Sequence, residues 1–217
     1  MAMEPLRDFS SALNAANLQT IQKATHQYSW KGVPMWKNPF DFALYWILIW
    51  HTRPRTVIEL GSKYGGSALW FADMLQMYGV DGRVVSIDIN PVAAFTDPRI
   101  DFLQGDASDL GSCLTPKYLA NLPRPWLFIE DSSHIYEHCL SALEFIHPHL
   151  QKDEFLLIED GIVDDLGASS EFNGGPNRAV KEFMTRHGQD YALATELCDF
   201  WGRNITWNPN GYFRKIH

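Results

Sequence analysis

Features that mark several common functional classes are missing from this chain of 217 residues. Its three cysteines lie far apart, form no CxxC pair and are odd in number, which argues against a disulfide framework. Free thiols in a reducing compartment, and hence a cytoplasmic protein, are expected. Lys and Arg number 18 against 26 Asp and Glu, without a basic stripe, so nucleic acid is not an expected partner.

Long apolar runs are also missing. The most apolar segment, residues 42–50, is far shorter than the roughly 20 residues that a membrane span needs. The N-terminus shows no basic region followed by an apolar core, so neither a signal peptide nor a membrane partner is predicted. Hydrophobic residues at 46% and charged residues at 20% indicate an ordinary folded domain rather than a disordered or fibrous chain.

Residues 1–54 are predicted to form an N-terminal helical extension that includes a lid. Residues 10–27 and 39–51 have helical patterns, and Pro39 suits the first turn of the second helix. That helix is apolar nearly all round, which predicts burial in the core or in a subunit interface. A homo-oligomer is therefore expected. Residues 28–38, between the two helices, form the loop-like lid segment.

From residue 55 to the C-terminus, short apolar runs alternate with longer helical patterns. Unbroken apolar runs predict strands that are covered on both faces. Their alternation with helices predicts a Rossmann-like, doubly wound α/β sheet that is mostly parallel. The predicted strands cover residues 56–60, 83–88, 100–103, 126–131 and 155–160, and the predicted helices cover residues 67–78, 135–150 and 179–187.

The last part of the chain has a different pattern. Residues 191–197 and 204–207 have the composition of strands, and residues 208–211 form a turn before a further strand at 212–216. Such a short connection joins antiparallel strands. The sequence therefore predicts an antiparallel C-terminal hairpin on an otherwise parallel sheet.

Glycines and acids follow the first three predicted strands in a pattern that suits an adenosine cofactor, because ligands of open α/β sheets bind beyond the carboxyl ends of the strands. Glu59 and Gly61 open a glycine-rich turn, and Asp88 lies about 20 residues after Gly66, where a ribose acceptor is expected. Asp106 follows the third strand and is placed to bind an adenine edge. The turn is neither GxGxxG nor GxxxxGK[ST], which weakens the case for NAD and for a P-loop.

Two later strands each end in a pair of acids, Glu130-Asp131 and Glu159-Asp160. Unpaired carboxylates at one edge of a sheet repel each other, and a hard divalent cation relieves that repulsion. Oxygen-only ligands suit Mg²⁺. Because side chains alternate along a strand, Glu130 or Asp131 is expected to face away. The alternative is that these acids cap the next helices or pair with Arg or Lys.

A histidine accompanies the first acid pair. His134 follows Asp131 by three residues, at the start of a predicted helix, and is a candidate base near neutral pH. His138 shares its helix face, so a zinc site of Asp131, His134, His138 and Glu159 is a second interpretation. The pattern is not HExxH, and His138 is more typical of helix packing.

The chain resembles the class I S-adenosylmethionine-dependent methyltransferases in Glu59-Leu-Gly, Asp88 and Asp106. More narrowly, it resembles the cephalosporin hydroxylase/rhamnosyl O-methyltransferase family from about Tyr28 to the C-terminus. The segments that carry this resemblance are KNPFDFALYW, IELGSKYGGSALWFA, VVSIDINP, DSSHIYEHCLSALEFIHPHL, LLIEDGIVDD, GGPNRAVKEF and NPNGYFRK. The resemblance implies that residues 55–217 form a methyltransferase domain.

The same resemblance implies a chemistry: transfer of a methyl group from S-adenosylmethionine to a hydroxyl of a small, Mg²⁺-chelating acceptor. A diol, a catechol or a sugar-like compound of natural-product biosynthesis suits that role. His134 would be the general base, and Asp131, Glu159 and Asp160 the Mg²⁺ ligands. The implied cofactor contacts are Glu59, Gly61, Ser62, Gly66, Ser67, Asp88, Asp106, Ala107 and Asp131.

Residues that cover or line the acceptor pocket are expected in the lid, on the helix after His134 and in the loop at 164–177. These candidates are Trp30, Trp36, Lys37, Tyr136, Asp164 and Asn173. For the lid, an aromatic loop packed between subunits is the alternative. For the whole chain, a non-catalytic S-adenosylmethionine-binding subunit, an NAD-dependent oxidoreductase and a zinc hydrolase are the alternatives.

Overall fold

The computed structural model describes residues 7–90, 92 and 95–217, so residues 1–6 of the predicted extension lie outside the described part. The helices are α1 (Ala15–Thr25), α2 (Pro39–Thr52), α3 (Gly66–Met77), α4 (Pro116–Ala120), α5 (Tyr136–Ile146), α6 (Gly175–His187) and α7 (Thr195–Cys198). The strands are β1 (Ser29–Trp30), β2 (Val33–Pro34), β3 (Thr56–Leu60), β4 (Arg83–Asp88), β5 (Ile100–Gln104), β6 (Trp126–Glu130), β7 (Phe155–Ile158), β8 (Tyr191–Leu193) and β9 (Tyr212–Lys215).

Seven strands form one mixed sheet in the order β5-β4-β3-β6-β7-β9-β8. The pairs β3–β4, β3–β6, β4–β5 and β6–β7 are parallel, whereas β7–β9 and β8–β9 are antiparallel. Every residue of β3, β6 and β7 is buried, which explains their unbroken apolar runs. The predicted fold is confirmed.

Helices cover both faces of this sheet and enclose two hydrophobic cores. On one face, α5 and α6 pack against the side chains of Ile58 and Leu60 from β3. On the other face, α2 and α3 pack against Val57 from the same strand. Because alternate residues of β3 serve opposite cores, the carboxyl end of this strand is held from both sides.

The apolar helix α2 is buried on one side and exposed on the other. Pro39 occupies its first turn, and the side chain of Asn38 caps it by accepting a hydrogen bond from the amide of Phe40. One side enters the core, whereas Trp46 and Trp50 remain about half exposed. The expected burial is therefore confirmed for one side of α2. A contact between subunits through the exposed side of α2 stays a prediction.

The predicted antiparallel C-terminal strands are confirmed, but the predicted strand at residues 204–207, one arm of the expected hairpin, is wrong. Strand β9 pairs instead with β7 and with β8, and the second half of the predicted strand 191–197 is the short helix α7. The side chain of Asp41 explains the difference, because its carboxylate accepts hydrogen bonds from the hydroxyl of Thr206 and the amide of Trp207. Those donors are thereby satisfied without a strand partner.

The lid segment contains a short hairpin in which β1 and β2 pair antiparallel. The hairpin rests on the first turn of α3, where Gly66 faces it. A Cβ atom at position 66 would lie 2.2 Å from the carbonyl oxygen of Pro34. Packing of the hairpin on α3 therefore requires glycine at this position.

Within the described ranges, no helix combines the length and the apolarity that crossing a membrane requires. Cys113, Cys139 and Cys198 are all unpaired, as predicted.

Candidate active site

A cavity of about 850 Å³ opens at the carboxyl ends of the parallel strands. The chain turns from β3 to β4 on one side and returns to β6 on the other, so the sheet order reverses between β3 and β6. Ligands of open α/β sheets bind at such a switch point. The predicted residues that line the cavity are Trp36, Lys37, Gly61, Ser62, Gly66, Ser67, Asp88, Asp106, Ala107, Asp131, His134, Glu159 and Asp160.

The turn after β3 brings the backbone close to the next strand. Gly61 has a φ of +97°, and a Cβ atom there would lie 2.0 Å from the carbonyl oxygen of Asp131. Any other residue would push the β3 turn away from the end of β6. This glycine therefore lets the nucleotide-like turn and the acid-bearing strand end share one cavity.

Asp88 and Asp106 lie at the same end of the cavity. The carboxylate of Asp88 accepts hydrogen bonds from the amides of Lys63 (2.7 Å) and Asn90 (2.8 Å), which fix it to both neighbouring loops. Oδ1 of Asp106 accepts from the amide and the hydroxyl of Ser108, at 2.8 and 2.7 Å. Both acids thus have local structural roles as well as a position in the cavity wall.

Glu59 lies beneath the cavity, outside its lining. The side chain is fully buried, and its Oε2 accepts a hydrogen bond of 2.7 Å from Ser86, which also bonds Ser62. Burial raises the pKa of Glu59, and the positive charge of Lys37 opposes that rise. Glu59, a predicted cofactor contact, therefore lies under the turn that contains Ser62 and supports that turn through Ser86.

Three predicted residues converge on the other side of the cavity. Asp131 follows β6, Asp160 follows β7, and His134 lies between β6 and α5. One ligand atom from each lies within 4.8 Å of those of the other two. Nε2 of His134 is 3.3 Å from Oδ2 of Asp160, while its buried Nδ1 has no hydrogen-bond partner among the described residues.

Both His134 and Asp160 have left-handed backbone conformations, with φ angles of 60° and 56°. Such angles are costly for residues other than glycine and concentrate at functional sites. The strained backbone directs the two side chains toward each other at the cavity wall.

Lys37 lies in the acid cluster rather than on the surface of the lid. Its side chain is 3% exposed, and its ammonium donates hydrogen bonds of 2.5 Å to Oδ2 of Asp131 and to Oε1 of Glu159. The hydroxyl of Tyr45 donates to the same oxygen of Glu159. Glu159 is thus bound by two residues from the N-terminal part of the chain.

Burial and neighbouring charges shift the pKa values of the residues in this cluster. Burial raises the pKa of Asp131 to about 7, with Lys37 opposing the rise. Burial and the charge of Asp131 raise the pKa of Glu159 to about 7. Burial lowers the pKa of Lys37, but Asp131 and Glu159 outweigh it and hold that pKa well above its usual value. Burial likewise lowers the pKa of His134, and Asp160 and Asp131 reverse the direction, so the net pKa is raised.

The strand alternation at the end of β6 is as predicted. Glu130 faces away from the cavity, and its Oε1 accepts hydrogen bonds from the amide and the hydroxyl of Ser132. His138 lines the cavity but is not among the residues whose ligand atoms converge, and its Nδ1 lies 2.8 Å from the hydroxyl of Ser133. The geometry therefore gives no support to the four-residue zinc site.

Four predicted acceptor residues are engaged away from the cavity. Nε1 of Trp30 donates to Asp73 at 2.7 Å, which holds the lid hairpin on α3. Tyr136 donates to Glu182. The remaining two, Asp164 and Asn173, are bonded to Asn177 and to Glu137, respectively. These four side chains do not lie among the residues that line the cavity, and a role in covering the acceptor stays a prediction for them.

Trp36 does line the cavity, as part of an aromatic cluster at its mouth. The ammonium of Lys63 lies 3.5 Å from the centre of its ring, and the ring of Tyr64 is 5.7 Å away. Trp36 is 37% exposed. A flat, partly exposed ring at a cavity mouth suits stacking against a ring of a bound molecule.

Sequence reasoning missed several parts of the cavity wall, including Gln22 and Thr25 of α1. Asp41, in the first turn of α2, also lines the cavity, and its spacing of four residues from Tyr45 on the same helix was the available signal. Another missed part is apolar and consists of Ile162, Val163, Leu166, Ala168, Phe172 and Trp207.

The metal-free protein is expected to lose stability as the pH rises from about 4 to about 7. Burial raises the pKa of Asp41, Asp131 and Glu159 to about 7, against usual values of about 4. In that window the folded state holds protons that the unfolded state has released, so rising pH favours unfolding. Each kcal/mol by which the free energy of unfolding falls lowers the Tm of a domain of this size by about 2–4 °C.

Thermal melts in a chelator at about pH 5 and about pH 7.5 measure this effect. Asp41→Asn removes one of the three carboxyl groups without removing a proposed metal ligand, and it is expected to flatten the pH dependence. A Tm that is higher at the upper pH would contradict the expectation.

The family of the chain follows from comparison with known proteins. The family model for rhamnosyl O-methyltransferase/CmcI matches residues 22–216. The rhamnosyl O-methyltransferase of Mycobacterium tuberculosis (strain ATCC 25618 / H37Rv) is 27% identical over 189 residues, which cover 85% of this chain and 76% of that protein. A tetracenomycin rhamnosyl 3'-O-methyltransferase of Streptomyces olivaceus is 30% identical over 115 residues, or 50% of this chain and 28% of that protein.

A solved structure agrees in fold. CmcI with Mg and SAM is 26% identical, with a TM-score of 0.66 over 88% of this chain and 78% of that chain. The sheet order and the cavity at its switch point thus define a class I methyltransferase. The chain belongs to the rhamnosyl O-methyltransferase/CmcI family, which confirms the predicted enzyme class, an S-adenosylmethionine-dependent O-methyltransferase. An NAD-dependent oxidoreductase is excluded by this membership.

Proposed function

We propose that the protein is a Mg²⁺-dependent methyltransferase that acts on a sugar hydroxyl with a neighbouring oxygen. One observation carries the proposal: a single cavity joins the glycine-rich turn and Asp88 to the group of Asp131, His134 and Asp160. A donor bound at the first side and an acceptor bound at the second side would meet within that cavity. Alignment of this kind contributes up to about 7–11 kcal/mol to a displacement reaction.

S-adenosylmethionine, when bound, supplies an electrophilic methyl group on a sulfonium. The residues proposed to hold it follow β3, β4 and β5 at the switch point, where Asp88 would bind the ribose and Asp106 the adenine. The solved relative CmcI contains SAM and Mg, which supports the same pair of cofactors for this chain. The described cavity volume of about 850 Å³ lies within the range of small-molecule sites.

The acid cluster fits a divalent cation. Four carboxyl groups, those of Glu59, Asp131, Glu159 and Asp160, interact with the positive charge of Lys37. Burial raises the pKa values of Asp131 and Glu159 to about 7, and the charge of a neighbouring carboxylate adds to the rise in each case. Oxygen ligands favour Mg²⁺, so Asp131, Glu159 and Asp160 are the proposed ligands. Mg²⁺ held by these residues would polarise the acceptor hydroxyl and orient the acceptor.

His134 is proposed to accept the proton of the acceptor hydroxyl. Its Nε2 lies 3.3 Å from Asp160, so a proton on Nε2 would point at that carboxylate. The lone pair then belongs to Nδ1, which has no hydrogen-bond partner within the described residues. A neighbouring carboxylate that fixes the tautomer in this way is common for catalytic histidines. His134 would thus take the proton that the acceptor hydroxyl loses when its oxygen receives the methyl group.

The names of the relatives and the shape of the cavity support a sugar acceptor. The mycobacterial and streptomycete relatives are rhamnosyl and rhamnoside methyltransferases by name. In this chain, the acid group faces an apolar wall that includes Phe172, whose ring is 5.6 Å from that of His134. A sugar with vicinal hydroxyls presents oxygens to the acids and carbon-bound hydrogens to the wall.

Homo-oligomerisation through the exposed side of α2 is a further part of the proposal.

Calorimetry and a methylation assay test this function. We expect S-adenosylmethionine to bind in the presence of Mg²⁺, and methylation of a rhamnoside with vicinal hydroxyls to stop when Mg²⁺ is chelated. A matched deoxy-rhamnoside, which lacks one of the two neighbouring hydroxyls, is expected to react at least about tenfold more slowly. Full activity in chelator would contradict the metal role, and an absence of S-adenosylmethionine binding would contradict the function as a whole.

A further inference from the structure

The position of Lys37 raises the question of how a buried lysine and a metal ion use the same acids. Its ammonium lies 2.5 Å from an oxygen of Asp131 and 2.5 Å from an oxygen of Glu159, two of the three proposed Mg²⁺ ligands. The ammonium therefore sits between the two carboxylates, where it neutralises them as a bound cation would.

We propose that Lys37 is a built-in counter-ion of the acid cluster, and that a divalent cation binds by displacing its ammonium from Asp131 and Glu159. This inference rests on the proposed metal role. It adds that metal binding is an exchange of one cation for another, and that Lys37 weakens the affinity of the site for the metal.

The geometry of Glu159 supports an exchange. The converging group contains Asp131, His134 and Asp160, whereas Oε1 of Glu159 is bound by Lys37 and Tyr45. Coordination of a metal ion through Oε1 of Glu159 therefore requires release of this oxygen from Lys37. The hydroxyl of Tyr45 remains to bond Glu159 after that release, so the carboxylate keeps one neutral donor.

Electrostatic repulsion also favours displacement of the Lys37 ammonium by a divalent ion. A divalent ion coordinated by Asp131 and Glu159 lies within a few ångströms of an ammonium that contacts both groups, and like charges at that separation repel strongly in a buried site. Juxtaposed like charges of this kind weaken binding of the second charge by a large factor.

The structure also provides a place for the displaced side chain. Lys37 lines the cavity and lies immediately before Asn38, the residue that caps α2. The lysine stem has four rotatable bonds, and an ammonium group is strongly hydrated. Rotation of this stem into the cavity exposes the ammonium to water without moving α2.

The direct test compares metal binding by two variants in the absence of cofactor and acceptor. Lys37→Met removes the charge and keeps a stem of similar shape, and we expect it to bind Mn²⁺ or Mg²⁺ at least about tenfold more tightly than the wild type. Lys23→Met removes an exposed lysine of α1 and is expected to leave the affinity unchanged. Titration calorimetry with Mg²⁺ and the electron paramagnetic resonance signal of free Mn²⁺ both report the affinity.

A second measurement uses the wild-type chain and does not depend on folding of the variant. Lys37 is expected to react slowly with an amine-acylating reagent in chelator and at least about tenfold faster in saturating Mg²⁺, because displacement exposes it. Mass spectrometry of the peptide that contains Lys37 measures the rate, with Lys23 as the internal reference.

The outcomes separate this inference from the proposed function. Wild-type binding of the metal with unchanged or weaker binding by Lys37→Met, or with an unchanged acylation rate at Lys37, overturns the exchange and leaves the metal role intact. An absence of metal binding by both the wild type and Lys37→Met overturns the metal role as well.

Discussion

Replacement of His134 by asparagine is expected to slow methyl transfer by roughly 10²–10⁴-fold, the usual contribution of a general base. The backbone of His134 has a φ of 60°, a conformation that asparagine tolerates better than most residues. The amide of asparagine cannot take a proton at neutral pH, so the substitution removes the base and preserves the local backbone. S-adenosylmethionine binding is expected to survive, because His134 lies on the acceptor side of the cavity.

Single-turnover rates with a rhamnoside acceptor measure the chemical step, and calorimetry measures cofactor affinity. His51→Asn is a suitable control, since His51 is an exposed residue of the last turn of α2. An unchanged rate for His134→Asn would rule out the base assignment. A parallel loss of cofactor affinity and rate would instead assign His134 a structural role.

Replacement of Asp160 by asparagine is expected to lower Mg²⁺ affinity by roughly tenfold or more, because even residues that only support metal ligands cost 10–100-fold when changed. Asp160 has a φ of 56°, so asparagine again preserves the backbone while it removes the negative charge. The carboxylate also lies beside His134, and its loss removes a charge that raises the pKa of that histidine. Methyl transfer at limiting Mg²⁺ should therefore fall by at least the same factor.

A matched control is available in the same chain. Asp153 has a φ of 70° and is exposed, so Asp153→Asn makes the same chemical change at the same kind of backbone position, away from the cavity. Mg²⁺ titrations of both variants, with and without an acceptor, separate the metal effect from a folding effect. Wild-type Mg²⁺ affinity in Asp160→Asn would remove this residue from the proposed ligand set.

The sequence predicted the position of the site well because the governing rules are local. An apolar run that ends in acids predicts a buried strand with its acids at the carboxyl edge, and parallel strands bring Asp131 and Asp160 to the same edge. Alternation along β6 similarly predicted that one acid of the pair at its end turns away, and Glu130 does so. These inferences need no knowledge of which distant residues meet.

The features that the sequence did not show depend on contacts between distant segments. Lys37 lines the cavity, but its ammonium also reaches Glu159, which is 122 residues away in the chain. Residues 204–207 have strand-like composition, but the buried carboxylate of Asp41 takes the donors of Thr206 and Trp207. A buried polar partner overrides a local preference, and its identity is visible only in the folded chain.

The left-handed conformations of His134 and Asp160 have a consequence for sequence comparison. At both positions the backbone alone disfavours β-branched residues, so a family alignment would show restricted variation there even without any chemistry. Asparagine is the informative exception, because it satisfies the backbone and supplies neither a base nor a negative charge. A relative with asparagine at either position would therefore be a natural test of the chemistry, because it would keep the backbone conformation and lack the reactive group.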